Sequence, residues 1–136
     1  MKMFMKSKMI IPMLVCRDAG AEINFCMHSF DAVELSCRKD EDGNVVHATL
    51  KIGEALLMVH GEIKHLASRA PQLDGSSPIV IYLYGDQVDT VIERAVTQGA
   101  RILLPAEDTF WGDRVGRIID PEGHVWNIAT QINKET

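Results

Sequence analysis

One spacing constrains this chain more than any other feature: a set of element signals recurs 69 residues further on. Met9–Val15 is apolar and reads as a strand. Ala19–Met27 carries Ile23, Phe25, Cys26 and Met27 and reads as a helix. Ala32–Arg38 is a strand, and Asp42-Gly43 is a hairpin turn leading into the strand Asn44–Ile52. Gly53-Glu54 then turns the chain into Ala55–His60. That order is βαβββ. A polar, turn-rich stretch, residues 61–77, follows as a linker or flap. The same order then returns: strand Ile79–Tyr84, helix Val88–Thr97 ended by Gln98-Gly99, strand Arg101–Leu104, loop Pro105–Trp111 and a closing hairpin. Ile11 and Val80 stand 69 residues apart, as do Phe30 and Gly99 at the helix ends, and Met58 and Asn127. An offset held through strand, helix and strand predicts a duplicated unit. The expected organisation is one α+β domain over residues 1–136, with module one at 9–60 and module two at 78–130.

The closing hairpin, FWGDRVGRIIDPEGHVWNIAT (Phe110–Thr130), is the most specific segment. In Asp120-Pro121-Glu122-Gly123, Pro121 presets φ and Gly123 accepts a positive φ. The flanking runs alternate and are β-branched, as strands are. Trp111-Gly112-Asp113-Arg114, Asp120-Pro121, Gly123-His124, Trp126 and Ala129-Thr130 resemble the last hairpin of the glyoxalase / bleomycin-resistance / extradiol-dioxygenase (vicinal oxygen chelate) superfamily, and within it the small bacterial glyoxalase-like group. The resemblance covers nearly the whole chain. It implies two βαβββ modules forming a cupped mixed sheet, with helices on the outer face and a cavity inside. It is specific for fold and says little about reaction, because one scaffold hosts many chemistries.

Composition narrows the partners. The net charge of −5 disfavours nucleic acid, since phosphate binding needs a basic face. Lys2, Lys6 and Lys8 are the one basic cluster and are expected to form a solvated N-terminal arm. The apolar run Met9–Cys16 is broken by Pro12 and has no small-residue cleavage site, and no run reaches the ~20 apolar residues of a membrane span. Cys16, Cys26 and Cys37 are an odd count with no CxxC, which suits buried thiols in a cytoplasmic protein.

Strand register sorts the side chains onto two faces. In Val45–Ile52, Ala48, Leu50 and Ile52 are apolar and belong under the helix. Across Gly53-Glu54, Leu50 faces Leu57, Ala48 faces Val59, Thr49 faces Met58 and His47 faces His60. Across Asp42-Gly43, Lys51 is expected opposite Glu34, and His47 opposite Arg38. Module one thus offers Glu34, Arg38, His47, Met58 and His60 to the cavity. In module two, Val80, Tyr82 and Tyr84 share a face, as do Val125, Asn127 and Ala129. A one-residue bulge at Gly123 sets Arg117 opposite Asn127 and Ile118 opposite Trp126. Trp126 is then a core residue under the second helix, beside Ile128.

Metal-using members of the superfamily hold their ion on four strand positions. Carried over by register, these fall on Ile11, Met58, Val80 and Asn127. Ile and Val cannot bind, Met is too soft for a hard divalent ion and Asn is weak, so no metal and no cofactor is expected there. Two facing histidines, His47 and His60, make a poor metal site alone. They are expected to be solvated at a strand end or to hydrogen-bond the linker, with a shared proton or ion as the alternative. Arg114 is expected to pair with Asp113 or Asp120. Aromatic surfaces with guanidinium groups suit planar or anionic organic ligands. The expected ligand-binding residues are Glu34, His47, His60, Tyr82, Trp111, Arg117 and Asn127. The expected function is metal-independent binding of a small, toxic or antibiotic compound by a homodimer. The alternative is a lyase, isomerase or transferase using His/Glu acid–base chemistry or an unusual metal site.

Overall fold

The computed structural model describes residues 8–132, so Lys2 and Lys6 of the basic arm lie outside the described residues. Two four-stranded mixed sheets and two helices make an α+β architecture of two βαβββ units. The first unit is β1 (Met13–Cys16), α1 (Ala19–Phe30), β2 (Val33–Lys39), β3 (Val45–Ile52) and β4 (Ala55–Gly61). The second is β5 (Val80–Tyr84), α2 (Val88–Thr97), β6 (Arg101–Asp108), β7 (Asp113–Ile119) and β8 (Val125–Gln131). The sheets share one order, β1-β4-β3-β2 and β5-β8-β7-β6. In each, the helix carries the chain from one sheet edge to the other, and only the first strand pairs in parallel.

Local chemistry accounts for the helix bounds. Asp18 caps α1 by accepting from the Ala21 N–H at 3.1 Å. The helix runs past the expected Met27 to Phe30, because its last turn buries Ser29 and Phe30. Asp31, in the left-handed region (φ 58°), ends it. Helix α2 has the expected bounds and buries Val88, Ile92 and Ala95, one stripe at helical spacing. Its first N–H is held by Thr130 Oγ1 at 3.0 Å.

Three strands depart from the sequence reading. β1 starts at Met13, just past Pro12, and not at the expected Met9. β6 continues through Pro105 to Asp108, where a loop was expected. It is an edge strand, and its ladder shifts register between Ile102 and Leu104 and again between Leu104 and Glu107. A bulged edge tolerates a residue with no N–H to donate. β2 shifts register at Leu35, so Val33 stands opposite Lys51 and Glu34 opposite Leu50. The expected Lys51–Glu34 pair is therefore not formed, while Arg38 does face His47. All four expected β3–β4 pairs, and both β7–β8 pairs set by the Gly123 bulge, are present.

The helix-facing sides of both sheets feed one core, which joins Leu50 and Val59 of the first unit to Ile118, Trp126 and Ile128 of the second. Trp126 is 1% exposed, and its ring lies 4.7 Å from that of Phe30, at the end of α1. Its Nε1–H donates to Asp120 Oδ2 at 2.9 Å. Glu22 is also fully buried there. Burial first, and Asp120 second, push its carboxyl well above the usual carboxylate range. Burial likewise pushes up the Cys16 and Cys26 thiols. The segment 61–77 contains a 3-10 turn at Lys64–Leu66. It is tied back by Arg17 to the Pro71 carbonyl (2.7 Å) and by Arg101 to the Leu73 carbonyl (3.2 Å). Gly123 (φ 95°) sits under it, where any Cβ would stand 3.1 Å from the Gln72 carbonyl oxygen. Among the described residues no helix is long and apolar enough to cross a membrane.

Candidate functional site

The face of the second sheet away from α2 holds a pocket of about 240 Å³. Leu104, Glu107 and Thr109 form one wall; Trp111, Arg117 and Asn127 are among the other lining residues. Register explains the assembly. Asn127 on β8 is flanked by Arg117 on β7 and Tyr82 on β5, so all three rise from the same face. Arg117 Nε–H donates to Asn127 Oδ1 at 2.7 Å. Asn127 is neutral, and among the described residues Arg117 forms no ion pair. Its charge thus lies on the pocket wall without a carboxylate within bonding distance. Glu107 lines the same pocket but makes no ion pair with it.

Beside the pocket, Asp113 gathers the aromatic groups. The Tyr82 and Tyr84 hydroxyls both donate to Asp113 Oδ2, each at 2.6 Å. Trp111 Nε1–H donates to the Tyr82 hydroxyl at 3.2 Å. The tyrosine rings stand 5.2 Å apart. These phenol donors hold the Asp113 carboxyl below its usual range. The bond to Asp113 pushes the Tyr84 phenol up to about 12, and Tyr82 is raised too, by burial first and by Asp113 next. Both phenols are therefore neutral donors at pH 7. Trp111 is 55% exposed, with one ring face free for a ligand. Arg114 is removed from this chemistry: it pairs with Asp89 (3.0 Å) and Asp108 (3.1 Å) rather than with Asp113 or Asp120.

The other expected site residues lie on the first sheet. His47 faces both Arg38 and His60. His60 is 6% exposed, and its Nε2 has no hydrogen-bond partner. Glu34 is exposed, and its register with Leu50 puts it on the helix-facing side. Trp111, Arg117 and Asn127 thus share one pocket and Tyr82 adjoins it, while Glu34, His47 and His60 belong to a separate sheet. Sequence reasoning missed Asp113 as the hub and missed the β6 wall. The WGDR motif marked Asp113, but nothing local revealed two tyrosines reaching it across β8.

The four positions where metal-using relatives hold an ion do not fit one here. Met58 stands opposite Thr49 and Met13, Val80 opposite Val125, and Ile11 precedes β1. Asn127 turns its only good donor oxygen to a guanidinium, which repels a cation. A larger cleft, about 690 Å³, lies where the end of α1 and the β3–β4 turn meet β5. Phe30, Tyr82, Tyr84 and Arg94 line it, but here the arginine's charge is met by Asp31 at 2.9 Å.

Comparison with known proteins agrees with this architecture. An uncharacterised protein of Mycobacterium bovis is 35% identical over 126 residues, covering 90% of this chain and 83% of the relative. The crystal structure of TioX from Micromonospora sp. ML1 superposes with a TM-score of 0.71 at 23% identity, over 92% of this chain and 99% of that one. The fosfomycin resistance protein FosX from Mesorhizobium loti superposes with a TM-score of 0.65 at 17% identity, over 93% of each chain. The family model "Glyoxalase/Bleomycin resistance protein/Dioxygenase superfamily" matches residues 13–128, nearly the whole described chain, and the protein belongs to that superfamily.

Proposed function

We propose that this protein binds a small planar organic anion without a metal at the binding site. It would act as a sequestering protein of the bleomycin-resistance type, in the cytoplasm and as a homodimer. The observation that carries the reading is Arg117: a guanidinium on a concave wall whose one hydrogen-bond partner among the described residues is the neutral Asn127. A cation so placed favours an anion beside it. Trp111, which lines the pocket and is held from behind by the Tyr82 hydroxyl, supplies a flat apolar surface on which the rest of such a ligand stacks. The resistance protein FosX shares the fold, which makes a sequestering or detoxifying role a natural use of this scaffold. A second reading, an acid–base enzyme, is favoured by the unpartnered Nε2 of the buried His60.

The test is a paired ligand panel followed by Trp111 fluorescence: aromatic carboxylates against their neutral amides. Arg117→Ala is expected to weaken the carboxylates by about tenfold or more, since a hydrogen bond to a charged group contributes roughly 1.5–3 kcal/mol. The amides should change less than about threefold. Equal weakening of both classes would overturn the anion-directed reading and leave a generic apolar pocket.

A further inference from the structure

Where the two units meet, on the helix-facing side and so away from the ligand pocket, a thiol, a carboxyl and an imidazole converge. Cys16 ends β1, Glu22 lies in the first turns of α1, and His124 follows the β7–β8 turn. One ligand atom from each lies within 4.8 Å of the others. Cys16 Sγ is 3.8 Å from His124 Nε2 and 3.9 Å from Glu22 Oε1. A tetrahedral zinc site with bonds of about 2.0–2.3 Å spaces its donors roughly 3.3–3.8 Å apart. The two Cys16 separations stand within a few tenths of an ångström of that range, and Glu22 and His124 lie within 4.8 Å of each other. Cys26 holds the remaining oxygen, its Sγ 3.5 Å from Glu22 Oε2.

The surroundings call for positive charge. Glu22 is fully buried, and it hydrogen-bonds two thiols and the Asp120 carboxyl. Asp120 and Glu122 are also buried nearby. Asp120 is satisfied by the Glu122 and His124 N–H groups and the Trp126 indole, and Glu122 by the Asp18 N–H. Glu22 has no such N–H donor, and no ion pair among the described residues reaches any of the three carboxyls. Buried carboxyls without a cation are costly unless neutralised or metal-bound. His124 is only half-buried and offers the way in from solvent.

We propose that Cys16, Glu22 and His124 form a structural site for zinc or a similar thiophilic divalent ion, clamping the first unit to the hairpin of the second. Thiolate, imidazole and carboxylate together are a zinc donor set. Without the ion, His124 Nε2 sits 2.9 Å from the Val15 carbonyl oxygen and so carries the ring proton. On binding, Cys16 and Glu22 each release a proton, and the imidazole moves its proton to Nδ1 and exchanges the Val15 bond for the metal. Nothing in this site depends on the ligand pocket, so the two readings stand or fall separately.

The test uses the full-length, reduced, metal-stripped chain titrated with Co²⁺. One equivalent is expected to bind with a thiolate-to-cobalt charge-transfer band, and Zn²⁺ should displace it. Cys16→Ser should abolish the band. Glu22→Gln and His124→Gln should each weaken uptake by about tenfold or more, because losing even an outer partner of a metal ligand costs roughly 10–100-fold. Cys37→Ser, on β2 outside the cluster, should leave band and affinity unchanged. Far-UV circular dichroism checks that each variant folds. Should Cys16→Ser fail to fold, the wild-type and His124→Gln titrations decide. Wild-type protein that takes up no Co²⁺, binds it without a thiolate band, or loses the band only in Cys37→Ser overturns the proposal.

Discussion

Trp126 shows how a single residue can hold two units together. Its indole is fully enclosed, touches Phe30 of the first unit, and satisfies its one polar atom with Asp120. Asp120 in turn fixes the turn by accepting from the Glu122 and His124 N–H groups. Removing the ring empties a large core site and leaves Asp120 one donor short. Trp126→Ala is therefore expected to cost roughly 3–5 kcal/mol in denaturant unfolding. An unchanged midpoint and slope would mean the ring contributes nothing to the shared core. Gly116 is constrained in the opposite sense: a Cβ there would stand 2.6 Å from Ile92 Cδ1 and 3.1 Å from the Ala106 backbone nitrogen. The bare backbone at that point lets α2 and β6 close on β7.

At the scale of elements, the link between β5 and β7 is testable through pH. Tyr82 and Tyr84 reach over β8 to one carboxylate on β7. Their hydroxyls depress the Asp113 pKa. A depressed carboxyl contributes stability above its unfolded pKa of about 3.9, and loses it as pH falls through the folded value. The thermal midpoint of the Tyr82→Phe/Tyr84→Phe double variant should thus fall below wild type at pH 7, and the gap should narrow on acidification below about pH 4. A gap of constant size would sink this account. The sequence reading of the elements succeeded where signals were local. Asp42-Gly43, Gly53-Glu54 and the Gly123 bulge set the hairpin registers, and the apolar stripe of α2 marked its bounds. It failed where position within a sheet decides. Pro105 breaks a central strand but not a bulged edge, and the bulge at Leu35 that displaces Glu34 has no turn residue to announce it. The site was half legible: parity brought Arg117, Asn127 and Tyr82 together, but the convergence on Asp113 and the Cys16–Glu22–His124 cluster depend on contacts across strands and units.

The whole molecule leaves one demand unmet by a single chain. Both sheets turn their helix-facing sides into one shared core, so their other faces point away from each other and cannot cover one another. Those faces and the strands beside them expose Met13, Leu35, Tyr82, Leu104 and Trp111, each at least 40% accessible. β1, β2, β5 and β6 are all edge strands with unpaired backbone groups. Apolar surface of this kind, next to free edges, marks an association face. Most homodimers are isologous, and a two-fold axis would lay the His47–His60 face of one chain over the Arg117 pocket of its partner. That arrangement would close a pocket which is open in one chain and would bring the separated site residues to a single cavity. The expected outcome is a dimer by sedimentation velocity at micromolar concentration. Leu35→Glu, a charge on the exposed edge strand β2 and outside the pocket, should shift it to monomer without unfolding it. The same variant should weaken aromatic carboxylates even though Arg117 is intact, because half of the cavity is lost. A wild-type chain that sediments only as monomer, or a Leu35→Glu monomer that binds as wild type does, would show that each pocket works alone.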